Sequence, residues 1–241
     1  EYMFRMCGRD DAQAPAAVKF MKEGLGAKTV FIIDDKTTYS QGIADGVNKG
    51  CQASGIKVLK HEHVNAGDKD FSAIITMAKQ ANADVLYLSL QNWSPSSLFM
   101  IQAKRMGLKT TILSQDANYH PKLVEIAKDA AEGMYVTFGY TDKSTAAYQA
   151  YEKRFTSKYG QVGAYGTYAY DGAMVLLKAI KAAGSTDSKK VKAEIMKMDF
   201  AGASKHIKFD KNLDSGSSYI AFKLANGEYK PYWTPEKGVL K

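Results

Sequence analysis

Cysteine and arginine are both rare in this sequence. The two cysteines, Cys7 and Cys51, in 241 residues provide no paired-thiol framework and no metal-ligand spacing, so both are expected as small buried apolar side chains. Arg5, Arg9, Arg105 and Arg154 are the only arginines, and the excess of 33 basic over 25 acidic side chains is carried by scattered lysines. A net charge of +8 by itself permits nucleic acid or an acidic membrane as partner. The shortage of planar guanidinium forks argues against both and for a solvated lysine surface. No run approaches the ~20 apolar residues that span a bilayer, and no basic and apolar leader opens the chain. A soluble mature piece is expected, with "EYMFRMC" read as a strand already under way.

Several chemical signatures are missing as well. No G-x-G-x-x-G or Walker pattern follows the first apolar run, so backbone amides have no glycine-lined approach to a phosphate. No G-x-S-x-G elbow is present. A receiver domain also opens with paired acids, but it needs an aspartate at the end of its third strand, where this chain has "LSLQNW". His61 and His63 flank Glu62 with strand spacing that puts both imidazoles on one face, yet no third group is evident beside them, so no metal ligand set is assigned. No cofactor is implied.

What the chain does have is alternation. "KTVFIID", "IKVLKHEHV", "ADVLYLSL", "KTTILSQ" and "GMYVTFGY" are short β-rich runs of the kind parallel sheets bury. Between them lie "YSQGIADGVNKGCQASG", "DFSAIITMAKQANA", "SPSSLFMIQAKRMG" and "HPKLVEIAKDAAE", with apolar residues three and four apart and glycine or asparagine near several ends. This rhythm predicts βαβ units and a doubly wound α/β sheet. After Gly139 it changes to three helices without intervening strands, then "KHIKF" and a hairpin turning at "NGE". Two short strands cannot hide three helices, so part of a second sheet is expected outside this chain.

In open α/β sheets, ligands sit beyond the carboxyl ends of the strands. The loops expected there hold Asp34, Asp35, Tyr39, Asn92, Trp93, Asp116, Asn118 and Tyr119. Carboxylates within an aromatic wall suit a small cationic or zwitterionic ligand. Simpler roles stay open: Tyr39 as a packed ring with a wet hydroxyl, Trp93 as a loop anchor, Asp116 as a helix N-cap.

The stretches "YMFRMCGRDDAQAPAA", "KTVFIIDDKTTYSQGIADGV", "GDKDFSAIITMAKQANADVLYLS", "AKRMGLKTTILSQD", "DAAEGMYVT" and "YAYDGAMVLLKAI", in this order, resemble the branched-chain amino acid family of type I periplasmic solute-binding proteins of ABC importers. The resemblance runs from Tyr2 to about Tyr232. It implies an α/β type I fold of two doubly wound, Rossmann-like lobes, with lobe 1 lacking its opening third. Residues 1–7 would be the first crossover strand, 8–138 the main part of lobe 2, 139–216 the return into lobe 1, and 217–241 a final hairpin of lobe 2. Tyr39 matches the tyrosine that lies against the ligand, and Asp116 the acid that takes the α-ammonium. Trp93 and Tyr165 stand where family members place aromatics. Asn92 and Trp93 depart from the usual side-chain pocket, so leucine-like specificity does not follow. Asp34 and Asp35 are expected to close the loop or the helix start.

The implied function is a non-enzymatic periplasmic receptor that holds an amino acid between two lobes and presents it to ABC transporter permease subunits. An amide- or amino-acid-sensing regulator of the same fold is the alternative, and a signal peptide in the gene would favour the receptor. Weak ligand binding by this chain alone is expected, with association through the exposed face of the incomplete lobe.

Overall fold

The computed structural model describes residues 2–216 and 218–240; Glu1, Ser217 and Lys241, which bound two of the expected segments, lie outside them. In chain order the elements are α1 (Asp10–Lys19), a π-helical turn (Phe20–Gly24), β1 (Thr29–Asp34), α2 (Thr38–Ser54), β2 (Lys57–His63), α3 (Ser72–Ala81) and β3 (Val85–Ser89). Then come α4 (Trp93–Arg105), β4 (Thr111–Ser114), α5 (Pro121–Ala127), β5 (Tyr135–Gly139), α6 (Ala146–Tyr159), α7 (Gly166–Ala183) and α8 (Ser188–Ile195). The strands β6 (Asp199–Ala201), β7 (His206–Lys208), β8 (Tyr219–Ala225), β9 (Glu228–Thr234) and β10 (Gly238–Val239) complete the chain.

These elements form two compact units, Arg9–Phe138 with Tyr219–Lys241 and Glu1–Gly8 with Gly139–Ser218. The larger unit is built on one sheet in the order β10-β9-β8-β5-β4-β3-β1-β2. Its pairs β1 with β2, β1 with β3, β3 with β4 and β4 with β5 are parallel. The apolar content of β1, β3 and β5 reflects burial on both faces, whereas the edge strand β2 is charged and partly exposed. Right-handed crossovers then fix the layers: β1 to β2 runs one way along the sheet and β2 to β3 to β4 to β5 the other, so α2 covers one face and α3, α4 and α5 the opposite one. On the α2 face, Val30, Ile32, Val85, Tyr87, Leu113 and Tyr135 pack with α1 and with Ile43, Val47 and Cys51 of α2. Burial pushes the Cys51 thiol up to about 12, as befits an inert apolar group. Cys7, expected to be buried, is only half-buried.

The reversal of direction between β1 and β3 is a topological switch point. The closing hairpin β8–β9 turns at Asn226 and Gly227, both left-handed (φ 56° and 75°), as a two-residue turn with the right twist requires.

The smaller unit packs α7 and α8 around Val175, Ala179, Val191 and Ile195, with Ile207 and Phe209 and the partly buried Phe4 and Met6 against them. Asp171 of α7 is buried and secures the β6–β7 turn, accepting from the amides of Ala203 (2.8 Å) and Ser204 (2.7 Å) and from the Ser204 hydroxyl. Leu176 and Leu177 of α7 remain exposed. The expectation of a strand at the start needs correction. Among the described residues before Arg9, only Arg5 forms a bridge, to Asp214, because the segment offers Phe4 and Met6 to the helical core and does not pair along its length.

Candidate ligand-binding site

The switch point is held together by carboxylate and hydroxyl side chains that bond to backbone. Asp35, just past β1, is 3% exposed. Its Oδ1 accepts from the Thr37 amide and hydroxyl (3.2 and 2.7 Å), and its Oδ2 accepts from the Gln91 amide across the switch point (2.7 Å). Ser40 donates to the carbonyl of Ser89, while the Ser89 hydroxyl donates back to the carbonyl of Ser40 (2.8 Å). The segments that follow β1 and β3 are thereby tied to each other by three hydrogen bonds. Thr37 caps α2 by accepting from the Ser40 amide, a favourable use of a hydroxyl at that position. The acids of "DDKTTYSQG" do close the loop, as expected.

On this support stands Tyr39, in the first turn of α2. Its phenol donates to Asp116 Oδ1 at 2.5 Å, joining residues 77 apart in the chain. Asp116 opens a short 3-10 turn, Asp116–Asn118, and does not cap α5, a role that falls to His120, whose Nδ1 accepts from the Lys122 amide. The same loop is anchored by Ser114 donating to the carbonyl of Leu88, by Gln115 donating to the carbonyl of Leu90, and by Asn118 donating to Ser114 and Gln115. Behind it Tyr119 packs among Phe138, Phe222 and Tyr229, with ring centroids 4.4 to 4.7 Å apart. Burial pushes the Tyr119 phenol up, so it stays neutral. Beneath the site the Tyr87 hydroxyl is wholly buried without a hydrogen-bond partner. Burial, reinforced by the Asp116 charge, drives its pKa well up.

The remaining candidates separate. Asn92 is the N-cap of α4, accepting from the Ser94 amide at 2.9 Å. Trp93 begins that helix, and its half-buried indole stacks on His120 at 5.3 Å and 18°. His120 was not anticipated; "HP" reads as a helix start and conceals a ring facing an indole. Burial first, then the charge of Lys122, hold the His120 imidazole below its ordinary range. Tyr165 belongs to the smaller unit, at the N-terminal boundary of α7, and is 41% exposed. Tyr39, Asp116, Trp93 and His120 therefore lie at the carboxyl ends of β1, β3 and β4, where a carboxylate and a phenol meet beside stacked rings.

The expectation that His61 and His63 lack a third group is also corrected. The parallel register pairs Ile32 with His61 and Asp34 with His63, so the carboxylate of Asp34 meets both rings. His61 Nε2 and His63 Nδ1 each lie 2.7 Å from Asp34 Oδ2. Burial alone would raise the Asp34 carboxyl; the bonds from His61, the Lys36 amide and His63 outweigh it and hold it below its ordinary value.

Known proteins resemble this chain over most of its length. A Leu/Ile/Val-binding protein homolog of Brucella abortus (strain 2308) is 34% identical over 226 residues, 93% of this chain and 61% of that protein. A leucine-, isoleucine-, valine-, threonine- and alanine-binding protein of Pseudomonas aeruginosa is 33% identical over 88% of this chain and 57% of its own length. The chain thus spans about three fifths of the curated relatives it matches. The crystal structure of a leucine binding protein from Thermotoga maritima superposes with a TM-score of 0.89 at 32% identity, covering 97% of this chain and 68% of that one. The fold is accordingly the type I periplasmic binding protein fold. The sequence model of the periplasmic binding protein family matches residues 1–222, and the chain belongs to that family.

Proposed function

We propose that the chain serves as an extracytoplasmic receptor that takes an amino acid with a branched or similar apolar side chain and hands it unchanged to the permease of an ABC importer. The observation that carries this reading is the meeting of the Tyr39 phenol with the Asp116 carboxylate at the switch point. A carboxylate oxygen accepts more than one hydrogen bond, so Asp116 takes a ligand ammonium while Tyr39 holds it in place. Trp93 and Tyr39 supply apolar contact. The larger unit, Arg9–Phe138 with the final hairpin, acts as the lobe that carries this site. Residues 1–7, as crossover, and 139–216 belong to the other lobe, on which Tyr165 lies. The names of these relatives, each an amino-acid-binding protein whose printed ligands include leucine, support the receptor over a regulatory sensor. No helix among the described residues is long and apolar enough to cross a membrane, in keeping with a receptor that works beside its permease.

Calorimetric titration with L-leucine and with 4-methylpentanoate, the same molecule without its ammonium, tests the reading. A charge-assisted hydrogen bond contributes about 1.5 to 3 kcal/mol, so the analogue and the Asp116→Ala variant are each expected to bind at least about tenfold more weakly. Equal affinity of wild type and Asp116→Ala for leucine removes Asp116 from the site.

A further inference from the structure

The carboxyl edge of the sheet holds a second cluster that ligand binding leaves unused. Asp34 is fully buried at the end of β1, and its Oδ1 is taken by the Lys36 amide at 2.9 Å. Its Oδ2, with His61 Nε2 and His63 Nδ1, forms a group of three potential ligand atoms lying within 4.8 Å of one another. Their convergence depends on an irregularity in the β1–β2 pairing. Val30 pairs with Val58, but Phe31 pairs with Lys60, so Leu59 is the extra residue of a bulge on β2. Without it, the register continued from Val58 would turn both imidazoles to the opposite face from Asp34. Bulges re-aim side chains in this way, and they are rare in parallel pairs.

We infer that Asp34, His61 and His63 form a binding site for a divalent transition metal ion of the zinc class, with water completing the coordination. Two imidazoles and one carboxylate match the ligand preferences of zinc and its neighbours. A single protein oxygen is too few for calcium, and magnesium has no use for two imidazoles. The surroundings of the rings fit the same assignment. Behind His61, Nδ1 lies 3.1 Å from the side-chain amide of Asn48 and 3.9 Å from the carboxylate of Asp45, so with metal on Nε2 the ring proton on Nδ1 has polar neighbours on the side away from the ion. The His63 side chain is 38% exposed, which gives ion and water a way in. The hydrogen-bonded separations of 2.7 Å are shorter than the ~3.3 Å edges of a tetrahedron with ~2.0 Å bonds, so each ring must retreat by roughly half an ångström. His63, last residue of the edge strand β2, is placed to do so.

The test is a titration of the chelator-stripped 241-residue protein with Co²⁺, followed by visible absorption, and then displacement by Zn²⁺. One equivalent of cobalt with the intense bands of a four-coordinate site is expected, displaced by one equivalent of zinc. His63→Gln, with circular dichroism confirming its fold, should weaken binding at least about tenfold. Imidazole NMR of the wild type with zinc needs no variant. His61 and His63 resonances should move while those of His120 and of His206, which is on β7 and bonded to Asp199 of β6, stay. Equal cobalt binding by wild type and His63→Gln, or zinc that leaves the His61 and His63 resonances unmoved, overturns the assignment.

Discussion

His120 ties a ring stack to a proton. Its Nδ1 must stay unprotonated to accept the Lys122 amide, and burial together with the Lys122 charge lowers its pKa from 6.5. The unfolded chain therefore binds a proton in a range of pH where the folded chain does not. Stability then rises with pH up to about 6.5 and falls as the solution is acidified through that window. An NMR titration should place the His120 midpoint below 6.5, and His120→Gln should flatten the dependence of unfolding free energy on pH in that window. At this scale the sequence reveals residue types more readily than partnerships. Tyr39 and Asp116 stand out as strand-end residues beside apolar runs, yet their hydrogen bond spans 77 positions and depends on how β1 and β4 are ordered in the sheet. Asp34 with its two histidines was hidden for the same reason, since only the bulged register brings them together.

Among elements, α1 and α2 approach each other most closely where Gly46 faces Ala14 and Gly50 faces Val18. A Cβ at position 46 would lie 2.9 Å from that of Ala14. The Ala14 methyl is fixed to its backbone, so the helices themselves must part. Gly46→Ala gains about 1 kcal/mol of helix propensity and loses about 1 to 3 kcal/mol to overpacking. A net loss, read as a lower urea midpoint with an unchanged m-value, is expected. The alternating strands and the helices α2 to α8 are all legible in the sequence because each carries its period and its punctuation. α1 is not, for "DDAQAPAAVK" has Pro15 in its middle and no continuous apolar stripe; packing against α2 makes it a helix. β6 and β10 are too short to carry a period of two. The opening segment fails the other way: its β-rich composition reads as a strand, and tertiary packing of Phe4 and Met6 overrides it.

The whole molecule consists of two units with separate cores, and a ligand held by the strand-end loops stabilises only what it touches. Leucine at 100 times its Kd is expected to stabilise the larger unit by about 2.7 kcal/mol. Differential scanning calorimetry should show its transition moving upward with leucine concentration. A scan that does not respond to a ligand shown to bind by calorimetry would mean that the unfolded chain binds it equally well. The larger unit is also discontinuous, because residues 139–218 are inserted between β5 and β8. During synthesis the first five strands emerge without the last three. Until β8 arrives, β5 is an open edge, and Phe20 and Tyr135 lack the rings of Tyr232 and Trp233 that pack on them. At ribosomal speeds the wait is on the order of 10 s, long compared with the folding of a small domain. A nascent chain of this design therefore spends that interval with an unpaired strand and exposed aromatics, the features that holding chaperones bind and that lead to aggregation when none is at hand.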